Sequence, residues 1–323
     1  MAELRYNPIV KDWIMIASHR QARPYMPVGY CPFCPGSGRV PDDGYTTLRY
    51  PNDFPALSQN PPAPDDVATD LFRVMPAYGT CEVLLYSDSH TATLGDLSDA
   101  HVHGIASMWR ECYEDISSDK NIKYVFIFEN RGAAVGVTMP HPHGQVYGYS
   151  YIPKKLAEEA ASAEEYHRQC GGNLYLDLLA EEKKAACRII FENDYFTVYV
   201  PFFTHIAYGA YVMANRHVPH IGAMTRRELD ALGEAVRDCA GMYDSLFGLS
   251  FPYMMCMHNP PVNSGDCGGY WQFHIEFIPP MRSADTQQHF ASSETGAGAW
   301  CNPTSPEEKS EELRAAYNKY KSK

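Results

Sequence analysis

Three polar side chains spaced two apart carry the clearest chemistry in the sequence. They lie in Met139-Pro-His141-Pro-His143-Gly-Gln145-Val-Tyr-Gly148, and residues two apart in an extended segment face the same side. His141, His143 and Gln145 therefore share one face. Pro140 and Pro142 stiffen the backbone, and Gly144 lets another group come close. A neutral imidazole is a good nucleophile at neutral pH, and covalent catalysis divides one hard displacement into two easier ones. That role needs one ring nitrogen holding the lone pair while the other is fixed by a hydrogen bond, most simply to a backbone carbonyl. An amide at Gln145 can give or take a hydrogen bond but has no proton to transfer at neutral pH. Ordinary buried histidines explain one such residue easily and three on one face poorly.

Cys31 and Cys34 form a second motif, Cys-Pro-Phe-Cys, followed by Pro35, Gly36 and Gly38. A turn this short can aim two thiolates at one ion, which is half of a tetrahedral zinc site. A redox pair or chance spacing gives the same pattern, so the remaining ligands decide. The other eight cysteines read as reduced, half-buried fillers, diluted over 323 residues. His101 and His103 fall in a helical stretch, where positions i and i+2 diverge, and read as surface residues.

The elements that must hold these groups are readable in outline. Residues 1–70 are rich in turns and read as short strands held by loops, among them Asp12 to Ala17. Glu82 to Tyr86 reads as a strand and Ser98 to Ile116 as a helix. Tyr124 to Asn130 is a strand too apolar for a wet face, running into the loop Gly132 to Gly136. Lys154 to Gln169 reads as a helix stopped at Cys170-Gly-Gly172. Arg188 to Glu192, Tyr195 to Val200, Ala207 to Ala214 and Phe273 to Ile278 read as strands. Thr225-Arg-Arg-Glu228 is a capping box that opens a helix to Phe247, and Ser305-Pro-Glu-Glu308 opens a C-terminal one. Strand, helix, loop and a His-x-His-like strand over 82–147 recur over 195–278, which ends in His274-Ile-Glu276. A repeated supersecondary unit predicts two similar halves, 1–187 and 188–323, of α+β class with largely antiparallel sheets flanked by helices.

Charge and composition narrow the function. Lys plus Arg is 27 and Asp plus Glu is 39, so the net charge is 27 − 39 = −12, against a nucleic-acid backbone binder. A few arginines in one pocket still serve a small anion. With 45% apolar residues the chain predicts a sizeable core. No apolar run approaches the roughly 18 residues of a membrane span, and no basic-then-apolar segment opens the chain, so a cytoplasmic protein is expected.

With these pieces placed, the chain resembles the galactose-1-phosphate uridylyltransferases of the histidine-triad superfamily. The resemblance rests on His-Pro-His-Gly-Gln145 after Phe128-Glu-Asn-Arg-Gly-Ala-Ala134, on Arg5-Tyr-Asn-Pro8, Trp13, His19-Arg20, Arg23-Pro24 and the Cys31/Cys34 pair. It continues through Asn52-Asp-Phe54, His90, Phe251-Pro-Tyr253, His258, Trp271-Gln-Phe-His274 and Pro279-Pro280. It implies ping-pong transfer of UMP between UDP-glucose and galactose 1-phosphate, giving UDP-galactose in galactose conversion, with His143 as nucleophile. Gln145 stands where the hydrolytic relatives carry a third histidine, which favours transfer. The resemblance implies that Cys31, Cys34, His90 and His141 hold a structural zinc. It also implies a possible second ion, zinc or iron, on Glu159, His258, His274 and Glu276, where better-known members carry histidine at the last position. Arg20 and Arg23 match positions near the sugar-phosphate groups, Asn52 and Asp53 positions at the uridine. Asn130, Gly136 and Thr138 match the phosphate-approaching loop. Glu294 is implied to contact the hexose, reaching into the partner subunit of a homodimer. A related transferase or phosphorylase using ADP-sugars or dinucleoside polyphosphates is the alternative enzyme, and a zinc-stabilised binding protein without catalysis is the alternative of another class.

Overall fold

The computed structural model describes residues 2–22 and 29–323; Arg23 lies outside them. Its first elements are β1 (Ala2–Asn7), β2 (Asp12–Ala17), β3 (Leu48–Pro51), β4 (Val74–Pro76) and β5 (Gly79–Leu85). Helix α1 (Asp99–Ser118), β6 (Tyr124–Arg131) and β7 (His143–Tyr149) follow. Helices α2 (Lys154–Cys170) and α3 (Leu174–Ala185) lead to β8 (Ile189–Glu192), β9 (Phe196–Tyr199) and β10 (Ala210–Ala214). The chain ends with α4 (Arg226–Phe247), β11 (Tyr253–His258), β12 (His274–Ile278) and α5 (Pro306–Lys321).

Nine strands form one antiparallel sheet in the order β3-β5-β7-β6-β11-β12-β10-β9-β8. The expected duplication is written into that order. Outward from the central β6–β11 pair, β6-β7-β5-β3 on one side repeats as β11-β12-β10-β9 on the other. The chain order also repeats, β3, β5, α1, β6, β7 against β9, β10, α4, β11, β12. The class is α+β, and both halves share a single sheet. A small sheet, β2-β1-β4, completes the first half.

Alternation along the strands assigns the two faces. Val125, Ile127 and Val146 pack under α1 with Trp109, while Val212, Ile275 and Phe277 pack under α4 with Leu232 and Val236. Each fully buried Ile or Phe there contributes roughly 2 kcal/mol of transfer free energy. The opposite face carries His143, Gln145, Tyr147 and Tyr149. Leu4 of β1 packs near Tyr147 and Tyr149 there, and Ala163 of α2 and Tyr175 of α3 cover β9 and β10 further along. One face is therefore core, and the other carries the chemistry.

Helix α4 opens as expected. The Thr225 hydroxyl accepts from the Glu228 amide at 3.3 Å, and Glu228 accepts from the Thr225 amide at 2.7 Å. Arg216 adds two bonds to the same carboxylate, at 2.5 and 2.7 Å. The Arg216 bonds, against burial and helped by Thr225, hold Glu228 down at about 2, below its ordinary 4.5. A depressed carboxylate contributes stability above its unfolded value and loses it as pH falls toward the folded one. Glu228→Gln is expected to cost on the order of 2 kcal/mol at pH 7, with the difference from the parent vanishing between pH 4.5 and 2 in urea melts.

Two expectations need correction, and two elements lie outside what the sequence reading covered. His101 and His103 are half-buried and bonded, His101 to the Tyr86 carbonyl at 2.6 Å and His103 to Glu234 at 2.8 Å, so they fasten α1 to its neighbours. Cys170, Cys187 and Cys301 are exposed rather than half-buried, and Cys81, Cys112 and Cys239 are fully buried. Helix α3 and strand β11 were not read in advance. Tyr253-Met-Met-Cys-Met-His258 is apolar on both faces, because helices cover one side and the buried cluster at His258 the other.

Candidate active site and metal centres

His143 is the first residue of β7, and the two prolines before it deliver the strand in a fixed direction. Its Nδ1 stands 2.7 Å from the His141 carbonyl. A carbonyl can only accept, so Nδ1 carries the proton and Nε2 the lone pair. Gln145, one pleat further, is half-buried on the same face, with the Tyr147 hydroxyl 3.4 Å from its Oε1. Between them Gly144 is required: a Cβ there would lie 2.1 Å from the Tyr86 hydroxyl and 3.2 Å from the Phe128 carbonyl.

Two clefts meet at His143. One, of about 430 Å³, runs along Gln145 to Asn52, Asp53 and Phe54, with Phe33 and Arg39 on its walls. Asp53 accepts from Tyr50 at 3.2 Å and pairs with Arg39 at 3.4 Å, so the carboxylate stays anchored at the rim. The other, of about 520 Å³, is lined by Asn130, Arg131, Gly132 and Thr138. Gly136 ends the helical turn at 133–135 with φ +77°, a conformation that favours glycine. Arg20 sits half-buried on the turn Ser18–Ala22 and lines neither cleft. Glu294 accepts from the Ala291 amide at 3.0 Å and lines neither cleft. Arg39 and Phe33 were missed from sequence, since no spacing rule marks a lone arginine or aromatic in a Gly-rich turn.

The first cluster gathers as its residue types allow. Donor atoms of Cys31, Cys34, His90 and His141 lie within 4.8 Å of one another. Cys34 Sγ is 3.5 Å from His90 Nδ1 and 3.7 Å from His141 Nδ1, and Cys31 Sγ is 3.7 Å from His141 Nδ1. A tetrahedral ion with bonds of about 2.3 Å to sulfur and 2.05 Å to nitrogen spaces such ligands about 3.6 Å apart. The residues fit a metal. His141 turns its other nitrogen, Nε2, to the Ser87 carbonyl at 2.7 Å and the Tyr45 hydroxyl at 2.9 Å, which fixes the ring for ligation through Nδ1. Burial holds His141 below its ordinary value, so the ring is the neutral form a ligand requires. Because His141 also supplies the carbonyl that anchors His143, the cluster and the nucleophile share one residue.

The second cluster lies on the same face in the other half of the sheet. Donor atoms of Glu159, His258 and His274 come within 4.8 Å of one another. His258 Nδ1 is 2.8 Å from Glu159 and its Nε2 3.5 Å from Glu276. Glu276 Oε2 is 2.5 Å from Lys155 Nζ, and Tyr211 donates to its Oε1 at 2.5 Å. Burial opposes charge on Glu276, yet His258 and Lys155 hold its carboxyl well below the usual range. Burial, then His258, pushes His274 down to about 4.

Comparison with known proteins decides the family. The family model for the N-terminal domain of galactose-1-phosphate uridyl transferase matches residues 1–153, and that for the C-terminal domain matches 159–292. The chain belongs to the galactose-1-phosphate uridylyltransferase family. It is 33% identical to the galactose-1-phosphate uridylyltransferase of Thermotoga maritima, over 97% of this chain and 98% of that one. It is 32% identical to the Rattus norvegicus enzyme of the same name, over 96% and 86%. A solved uridylyltransferase structure, 29% identical, superposes with a TM-score of 0.90 over 98% of this chain and 99% of that one. An Arabidopsis thaliana ADP-glucose phosphorylase, at 21% identity and a TM-score of 0.75 over 97% and 99%, shares the fold. The protein is thus a transferase of the galactose-1-phosphate uridylyltransferase family. No helix among the described residues is long and apolar enough to cross a membrane.

Proposed function

We propose that the protein moves UMP between UDP-glucose and galactose 1-phosphate through a uridylyl-His143 intermediate. His143 Nε2 attacks the α-phosphorus, a P–N bond forms, and the P–O bond to the β-phosphate breaks, releasing glucose 1-phosphate. Galactose 1-phosphate then attacks the same phosphorus through a phosphate oxygen, the P–N bond breaks, and UDP-galactose leaves. The carrying observation is the 2.7 Å contact of His143 Nδ1 with the His141 carbonyl, in a ring that lines both clefts. It fixes the tautomer whose Nε2 is nucleophilic. The Nδ1–H bond also stabilises positive charge on the ring once Nε2 is phosphorylated.

Asn52 and Asp53, in the cleft with Gln145, receive the nucleoside, Asp53 accepting from ribose hydroxyls. Asn130 and Thr138 approach the phosphates from the second cleft, and Gly136 shapes the turn beside it. Arg20 and Arg23 serve the sugar-phosphate groups, and Glu294 serves the hexose of a partner subunit in a homodimer. Cys31, Cys34, His90 and His141 would hold zinc, and four protein ligands would leave it no open position, so it would tie the N-terminal loop to the approach to β7. The reacting group is that of His143, with Gln145 beside it as a hydrogen-bonding partner.

Incubation with UDP-glucose alone, followed by intact-protein mass measurement, tests this reading. The expected result is a gain of one uridylyl group. A gain of one adenylyl group with ADP-glucose alone would reassign the donor, and no gain with either would sink covalent transfer.

A further inference from the structure

The duplicated sheet presents one device twice. His143 and His274 open the equivalent strands β7 and β12, and each turns Nδ1 to the carbonyl two residues before it, at 2.7 and 3.0 Å. Two residues on, Gln145 of the first half is matched by Glu276 of the second. The surroundings then diverge. Both oxygens of Glu276 are engaged, one by Tyr211 at 2.5 Å and one by Lys155 at 2.5 Å. His258 lies between the two carboxylates, Nδ1 2.8 Å from Glu159 and Nε2 3.5 Å from Glu276.

Spacing separates this cluster from the first. Nitrogen and oxygen ligands of one tetrahedral ion, with bonds of about 2.1 Å, stand about 3.4 Å apart. The His258–Glu159 distance of 2.8 Å is a hydrogen bond instead. The first cluster of the same chain keeps its donors 3.5 to 3.7 Å apart, as ligands do. The charges point the same way. Glu276 is buried, and an unpaired buried carboxylate is costly, but the ammonium of Lys155 already stands where a cation is needed.

We propose that the second cluster works without a metal ion, the Lys155 ammonium and the bonds from Tyr211 and His258 holding Glu159 and Glu276 together. Lys155 and Glu159 both belong to the start of α2, and Glu276 to β12, so the network fastens that helix to the sheet. It does the structural work of an ion with side chains alone.

Elemental analysis of protein grown with zinc and iron tests the proposal. Wild type and Glu159→Gln are expected to carry the same number of ions per chain, because neither loads the second cluster. A loss of one ion per chain in Glu159→Gln would overturn it. Lys155→Met with Glu276→His, which removes the ammonium and restores an imidazole, is expected to gain one ion per chain. The Lys155 side chain is 56% exposed, so its exchange opens no cavity, and in the double variant the bound ion takes over the place of the ammonium. Failure of the double variant to gain an ion would show that Lys155 and Glu276 are not what keeps metal out. Cys34→Ser reports the first cluster separately, so a missing ion there leaves the comparison intact.

Discussion

His143→Ala is expected to abolish labelling by UDP-glucose and to lower the rate of UMP transfer by at least roughly 10⁴-fold. The effect is large because the ring does more than bind: it forms the bond on which both half-reactions depend. The fold should be untouched. His143 is half-buried on the face away from α1, and its Nδ1 contact is with the carbonyl of its own strand approach. Thermal midpoint and metal content are therefore expected to match the parent. Both exchange half-reactions, glucose 1-phosphate into UDP-glucose and galactose 1-phosphate into UDP-galactose, should disappear together. Retained uridylyl labelling in His143→Ala would place the nucleophile elsewhere. Loss of one half-reaction alone would contradict a shared intermediate.

His143 and Gln145 were legible as neighbours on one face because the period of a strand is strict, whereas His141 sits in the bend before β7. One residue of slip would turn both of them to the other face. Capping boxes were legible for a similar reason, since Thr225 and Glu228 satisfy backbone donors three residues away with no outside help. What lay beyond reach was set by distant chain. Tyr45 and Ser87, which fix His141, come from a turn and a strand end 96 and 54 residues away. Arg39 meets Asp53 only because the loop before β3 folds over the cleft. Lys155 looked like one more charge on a polar helix. Its meaning depends on β12, 121 residues later, where Glu276 accepts from its ammonium. Pairings of that span leave no local period to read.

Cys34→Ser is expected to lose the ion of the first cluster and to damage both stability and transfer. Four donors from three distant stretches converge there: Cys31 and Cys34 on the N-terminal loop, His90 after β5, and His141 before β7. Structural zinc sites of this type bind with apparent free energies of about 10 kcal/mol or more, and that binding is folding free energy for the segment they close. Here the segment includes Phe33, which lines the nucleoside cleft and lies with its ring centroid 6.0 Å from that of His143. Losing the ion should therefore free the loop around residues 30–45 while the nine-stranded sheet persists. Hydrogen exchange ought to rise in that loop and in the approach to β7, with little change in α4. Acid acts in the same direction. Burial and the neighbouring Cys31 push the Cys34 thiol up to about 11 without an ion, so the cation must displace a proton to bind. Affinity consequently falls as pH falls, and a chelator should strip the ion faster at pH 5.5 than at pH 8. Equal metal content and equal thermal midpoint in Cys34→Ser and the parent would refute the site. A variant that loses its ion yet keeps full transfer would instead show that the loop reaches its place without the tie.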